Sequence, residues 1–289
     1  MSTDNKKKVL LLGCTGKMGL ALGKVLGTDY EVIGKSSRDF DALDTGQVRL
    51  LIEANRPDIV INTVAFMGID LVEREPEKAI KINALHPKML AELSCQHGFV
   101  LVHFSTEAVF CDSSGEAYTE GDCPRPVNVY GLTKYGGDCF VQRIARRYYI
   151  FRMPIMFGEA AKDRQFVEKM LSMCSDGSES LRISDDIISS PTYSLDAAKA
   201  IAGMLEAEAS YGLYHLANEG RASLWELMNE VVAHLGLPVE VKRASYQDFP
   251  CVGIKNICTP LRSQKIASLR PWKEAVRDYC ANLRAAGAI

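Results

Sequence analysis

The stretch that most constrains this chain lies at its start. Lys8-Val9-Leu10-Leu11-Leu12 shows no alternation of polar positions and runs straight into Gly13-Cys14-Thr15-Gly16-Lys17-Met18-Gly19. Leu20, Ala21, Leu22, Val25 and Leu26 then suit a helix that ends at Gly27. A strand without polar alternation is buried on both faces, which calls for a parallel sheet covered by helices on each side. A strand, a glycine turn and a helix in this order bring free backbone N–H groups and the positive end of the helix dipole beside a phosphate. Glycines at 13, 16 and 19 let the chain turn tightly, approach a pyrophosphate and pack helix on strand. The spacing is Gly-x-x-Gly-x-x-Gly rather than Gly-x-Gly-x-x-Gly, so the turn carries weight through the strand and helix around it. Gly13, Thr15, Gly16, Lys17 and Met18 are the expected cofactor contacts.

The alternation continues. Tyr30 to Ile33 reads as a second strand, followed by Gly34-Lys35-Ser36-Ser37-Arg38. Lys35, Ser36 and Arg38 suit a 2'-phosphate, which favours NADP(H); Asp39 and Asp41 close behind keep NAD(H) open. Asp44-Thr45 can cap a helix through Val48, Leu51 and Ile52 that stops before Pro57. Asp58 to Asn62 is a third strand, and Thr63, Val64 and Ala65 beyond its end would let a cofactor lie close. Pro76 to His97 predicts one long helix. Asn83 inside it is read first as a backbone-bonding amide and second as part of a proton relay. Phe99 to Phe104 is the fourth strand. Strands alternating with helices predict an α/β, doubly wound parallel sheet of Rossmann type, with ligands at the carboxyl ends of the strands.

At one such end stand Ser105 and Thr106, and further on Tyr130-Gly131-Leu132-Thr133-Lys134. On a helix, four-residue spacing puts the Tyr130 phenol and Lys134 ammonium one turn apart on one face. A phenol has an ordinary pKa of about 10, and a nearby cation lowers it toward usable acid/base chemistry. Ser105 or Thr106 could complete a three-point grip on a carbonyl. Cys111 to Asn128, rich in Gly, Ser, Pro and acids, reads as a loop bordering the site. Tyr148 to Met153 is another strand and Asp163 to Cys174 a helix. After residue 176 come a strand at Leu181 to Ser184, a helix through Ala197, Ile201 and Leu205, a strand at Tyr214 to Ala217, and helices at Leu224 to Leu235 and Trp272 to Leu283. The expected division is a dinucleotide-binding domain, 1–153, with contributions from 181–217, and a smaller, mainly substrate-binding lobe, 154–289.

Composition removes other classes. The chain has 289 residues, 47% hydrophobic and 24% charged, with net charge -2, and no basic block beyond Lys6-Lys7-Lys8. That gives no electrostatic case for nucleic acid or an anionic membrane. The apolar runs are too short to span a bilayer, and Met1 to Asn5 does not read as a signal peptide, so a cytoplasmic protein is expected. Nine cysteines with no Cys-x-x-Cys read as reduced thiols, and five scattered histidines indicate no metal site. There is no Gly-x-Ser-x-Gly elbow for a serine hydrolase.

Taken in order, the glycine turn, Pro57 to Asn62, Ser105-Thr106-Glu107-Ala108-Val109-Phe110, Val129 to Lys134, Ser190-Pro191-Thr192-Tyr193 and Gly212 to Leu216 resemble segments of the extended short-chain dehydrogenase/reductases. Within them the chain looks most like the dTDP-4-dehydrorhamnose reductase family. The resemblance implies hydride transfer from a nicotinamide to the C4 ketone of a nucleotide-linked deoxysugar. It makes Tyr130 the proton donor, Thr106 the hydroxyl on the carbonyl, and Lys134 the group that binds the nicotinamide ribose and lowers the tyrosine pKa. Glu107, Ala108, Ile155 and Pro191 fall at substrate positions, and a homodimer is left open. Departures from the family pattern are Glu107-Ala108 for Asp-Tyr, Ile155 for a Trp, and Thr259-Pro260 for Arg-Pro. Ala108 and Ile155 lose aromatic surface for stacking, so the sugar or nucleotide can differ. A dehydratase is disfavoured because Ala108 lacks the second acid/base group. An epimerase ranks behind the reductase, and so does a non-catalytic subunit resembling the regulatory subunit of methionine adenosyltransferase.

Overall fold

The computed structural model describes residues 6–112, 115–158 and 165–287. The readings of Met1 to Asn5 and of a helix start at Asp163 therefore lie outside the described residues. Six parallel strands form the central sheet, in the order Gly212–His215, Tyr148–Met153, Val100–Thr106, Ile59–Asn62, Lys8–Leu12, Glu31–Lys35. From Lys8–Leu12 the chain first adds a strand on one side and then crosses to the other. This reversal opens a crevice at the carboxyl ends of Lys8–Leu12 and Ile59–Asn62, where the glycine turn and Thr63 stand.

The two-sided burial read from the first strand holds for the whole sheet. Val9, Leu11, Ile61, Val102 and Phe151 face helices Lys17–Leu26 and Ser194–Glu206, whose Leu22 and Ile201 are fully buried. Leu10, Leu12, Val60, Leu101 and Ile150 face the other side, against Val48, Leu90 and Val141. A separate apolar cluster serves the C-terminal lobe, where the rings of Phe157, Tyr193 and Tyr279 pack with centroids 5.4 to 5.8 Å apart. Helix Leu224–Leu235 there is closed by a Ser223–Glu226 capping box.

Several elements differ from the sequence reading. Pro76 to His97 is not one α-helix: Pro76–Ile80 passes into a π-helical turn, Lys81–Leu85, before His86–His97. Pro87 has no N–H to give to the carbonyl of residue 83, and the ladder slips by one residue there. The freed carbonyl of Asn83 lies 2.4 Å from where a Cβ of Gly137 would sit, so the neighbouring helix approaches only because that residue is glycine. Also unread were a short helix at Ile69–Arg74, a strand at Glu240–Ala244 that pairs with Ser180–Ser184, and several strands of two or three residues in the C-terminal half. The strand Glu-Val-Lys-Arg-Ala carries too little apolar pattern to announce itself. Among the described residues no helix is long and apolar enough to cross a membrane.

Leu10 is fully buried at the centre of one sheet face. Leu10→Ala is expected to lower unfolding free energy by about 2–5 kcal/mol, seen as a reduced urea midpoint with an unchanged slope.

Candidate active site

The site is assembled where helix Val129–Ile144 meets the end of strand Val100–Thr106. Asn128 caps the helix by accepting from the Gly131 N–H at 2.8 Å, and its own amide donates to the Ile254 carbonyl and to Asn256 Oδ1. A Cβ on Gly131 would lie 2.0 Å from the Ala108 carbonyl oxygen. Glycine there lets the first helical turn rest directly on the short turn Glu107–Val109, and this sets Tyr130 beside Thr106. Thr106 Oγ1 accepts from the Ala108 N–H at 3.1 Å and stands with the Tyr130 phenol on one cavity wall. Ser105 is engaged elsewhere, its hydroxyl donating to Asp138 Oδ2 at 2.9 Å. Ser105 and Thr106 both line the cavity, and with Ser105 bound to Asp138, Thr106 is the hydroxyl left for a ligand beside the phenol.

The expectation that Lys134 lowers the Tyr130 pKa is overturned. Burial pushes the phenol up to about 12, the negative charge of Glu107 adds to the rise, and the Thr106 hydrogen bond opposes it. The Lys134 ammonium instead donates to the Phe104 carbonyl at 2.5 Å, and burial pulls its pKa down to about 8 against the pull of Asp138. Tyr130 at neutral pH is a protonated phenol, able to give a proton rather than take one. Glu107 is also shifted: burial raises its carboxyl to about 8 even though the Ser189 hydroxyl donates to it at 2.6 Å.

These groups line a cavity of about 550 Å³. Gly16, Lys17, Met18, Thr63, Ala65, Thr106, Glu107, Ala108, Tyr130, Lys134 and Ile155 all reach it. Pro191 does not; it is buried beside Ser190, which exchanges hydrogen bonds with Leu261. Val64 packs against the sheet core. Thr15 is exposed on the turn, outside the cavity wall. Sequence reasoning missed Met67, Met153, Met156, Phe166 and Asn256 on the walls. Met153 could have been found, since it ends a central strand and ligands gather at such ends. Asn83 takes the structural role: its amide bonds both the N–H and the carbonyl of Phe66 at 2.9 Å, and donates to Thr133.

The glycine turn fits a dinucleotide. Gly13 has φ +84, and a Cβ there would meet Thr63 Oγ1 at 2.5 Å; a Cβ on Gly19 would lie 2.3 Å from the Gly13 carbonyl. Helix Lys17–Leu26 has no side-chain cap, so its first-turn N–H groups face the cavity with the positive end of the dipole. The Lys17 ammonium, by contrast, is committed to a buried ion pair with Glu168 at 2.5 Å, so Lys17 offers its backbone. At the far end of the turn, Asp39 accepts from both the N–H and the hydroxyl of Ser36, at 2.7 and 2.8 Å. This binds up the Ser36 hydroxyl and Asp39 together, and leaves Lys35 and Arg38 as the cations beside them.

A doubly wound sheet with this turn, and a Thr, Tyr and Lys at the crevice, defines an oxidoreductase-type fold of the extended short-chain dehydrogenase/reductase class. The particular family follows from comparison: residues 7–285 match the RmlD substrate binding domain, and the chain belongs to that family. The spore coat polysaccharide biosynthesis protein SpsK of Bacillus subtilis (strain 168) is 31% identical, covering 94% of this chain and 96% of its own length. A dTDP-4-dehydrorhamnose reductase of Aggregatibacter actinomycetemcomitans is 28% identical over 95% of this chain and 98% of that one. The solved dTDP-4-dehydrorhamnose reductase of Bacillus anthracis, in complex with NADP, superposes with a TM-score of 0.90 at 26% identity, covering 96% and 99% of the two chains. The resemblance and the fold read from the motifs are both borne out.

Glu107 gives a pH test. Its carboxyl holds a proton more tightly folded than unfolded, about 8 against 4.5. Stability from this group is therefore fully present below about pH 4.5 and is lost as pH rises toward 8. Glu107→Gln should flatten that decline: the variant gains on the wild type in melting temperature between pH 5 and pH 8. Parallel curves would show that Glu107 titrates normally.

Proposed function

We propose that this protein is an NADPH-dependent reductase of the C4 ketone of a nucleotide-linked deoxysugar, with Tyr130 as the proton donor. The observation that carries the reading is that the Tyr130 phenol, the Thr106 hydroxyl, Lys134 and the start of the helix after the glycine turn share the wall of one cavity. NADPH supplies the hydride when bound. The N–H groups at the start of helix Lys17–Leu26 would hold its pyrophosphate, Lys35 and Arg38 its 2'-phosphate, and Lys134 its nicotinamide ribose. Thr63 and Ala65 leave room beside them.

Within this frame Thr106 orients the substrate carbonyl by donating a hydrogen bond to its oxygen. As negative charge grows on that oxygen, Tyr130 gives up its proton to it. The Lys134 ammonium, one helical turn away, adds positive charge beside the oxygen on which negative charge develops. In the reducing direction the phenol delivers its proton as the alkoxide forms. Glu107 and Asn256 offer polar contacts to the sugar. Ala108 and Ile155 stand where the family usually places stacking rings, and with Met67 and Met156 they make that part of the wall aliphatic. The chain works in a reducing compartment, the cytoplasm, in keeping with its nine free thiols. Ile80, Leu85 and Leu132, exposed on two helical stretches packed against each other, suit pairing with a second copy.

A panel of nucleotide-linked 4-keto sugars incubated with NADPH tests the substrate class, through loss of nicotinamide absorbance and identification of the alcohol. NADPH binding with no turnover on any member would favour a regulatory subunit instead. Tyr130→Phe should leave NADPH affinity nearly unchanged and lower turnover at least about a hundredfold, the usual scale for a lost acid. Replacing Lys35 and Arg38 together by alanine should weaken NADPH binding more than NADH binding, by calorimetric titration; equal losses would remove these residues from the 2'-phosphate.

A further inference from the structure

A buried ammonium needs more than a neutral acceptor. Lys134 is 2% exposed and its Nζ donates to the Phe104 carbonyl, which alone does not offset the loss of water around a charge. One helical turn further on lies Asp138, with no exposed surface. Its Oδ2 accepts from Ser105 Oγ at 2.9 Å and from Arg152 Nε at 3.1 Å. Ser105 follows Phe104 on the same strand and stands in register with Arg152 on the next. Two adjacent strands thus supply the carbonyl for the lysine and both clamps for the aspartate.

We propose that Asp138 is a positioning residue for the reductase site: clamped by Ser105 and Arg152, its carboxylate is the counter-charge that keeps Lys134 an ammonium held against the Phe104 carbonyl. This rests on the reductase reading given above. The groups that face Lys134 from the packed elements are few. Asp138 and Tyr130 come from its own helix, His103 from strand Val100–Thr106, His86 from helix His86–His97 and Arg152 from strand Tyr148–Met153. Burial and the lysine's charge hold both histidines neutral. Asp138 is then the anion that opposes the burial of Lys134.

The second carboxylate oxygen is aimed as well. Asn62 uses its Oδ1 to accept from the Val64 N–H, so its Nδ2 donates to His103 Nδ1 at 3.4 Å. That leaves the imidazole proton on Nε2, which faces Asp138 Oδ1 at 4.0 Å. The cluster therefore runs from the loop after strand Ile59–Asn62, through His103 and Asp138, to Lys134. It holds two cations and one anion, an excess of one positive charge beneath the site where an oxyanion develops.

The test is Asp138→Asn in the full chain, which keeps the side chain's shape and removes its charge. Lysines labelled with 13C at the ε carbon are titrated by NMR in the coenzyme-free protein, with Lys134 assigned by the loss of its signal in Lys134→Met. The Lys134 midpoint should fall by at least about one pH unit, a tenfold loss of proton affinity. In the turnover assay the basic limb of the kcat profile should move down by the same amount, and Asp138→Glu should move it back. Ser105→Ala, which loosens the clamp and leaves the charge, should lower the midpoint less, and it serves if Asp138→Asn does not fold. An unchanged midpoint in a folded variant, or a kcat lowered equally at every pH, overturns the proposal. A shifted midpoint in a protein that reduces none of the sugars upholds the counter-charge and counts against the reductase reading instead.

Discussion

The contact on which the site depends is the seat of Gly131 on the carbonyl of Ala108. Helix Val129–Ile144 carries Tyr130, Lys134 and Asp138 on one side, and its entry point decides how far each reaches into the sheet edge. A side chain at 131 would drive a carbon to 2.0 Å from that oxygen. The helix would lift, and the phenol would leave Thr106. Gly137 does the same further along the helix, where the carbonyl of Asn83 comes close. Between these two glycines the helix is pressed onto strand Val100–Thr106 closely enough for an ammonium to bond the Phe104 carbonyl.

That closeness explains why the site's proton affinities depart from a surface reading. Tyr130 and Lys134 are one turn apart on one face, and simple spacing suggests that the cation draws the phenol's pKa down. The packing removes water from both groups, and burial acts on them in opposite senses. It raises the acid that would become negative and lowers the base that is already positive. A protonated phenol and an ammonium held by Asp138 are the result, and for a reductase these are the serviceable states.

Much of the architecture was legible because it rests on local, repeated signals. The non-alternating strand at Lys8–Leu12, the glycines after it and the strand–helix alternation specify a doubly wound sheet whatever the rest of the chain does. Helix Leu224–Leu235 could be bounded to the residue, since Ser223 caps it and Gly236 ends it. The π turn was less legible: Pro87 was visible, yet it reads equally as the end of a helix or a slip within one. The strand Glu240–Ala244 has three charged residues in five, and only its partner Ser180–Ser184 makes it a strand. In the site, Thr106, Tyr130 and Lys134 could be read from spacing and resemblance. Met67, Met156 and Phe166 could not, because they come from three separate segments that only the fold brings to one wall.

The same reasoning separates the side chains that could bind a coenzyme from those that cannot. Lys17 and Ser36 have the right chemistry in sequence, one a cation on the phosphate turn and the other a hydroxyl after the second strand. Each is spent on a carboxylate: Lys17 on Glu168 from the C-terminal lobe, Ser36 on Asp39. The first pair ties the phosphate turn to the lobe that carries Gln165 and Phe166 on the cavity wall. Breaking it would strand a buried charge, at about 3–5 kcal/mol. The second pair holds Asp39 as a carboxylate, steadied by the Ser36 N–H and hydroxyl, beside the two cations Lys35 and Arg38. What the turn presents to an anion is then its backbone, and what the second strand presents is Lys35 and Arg38.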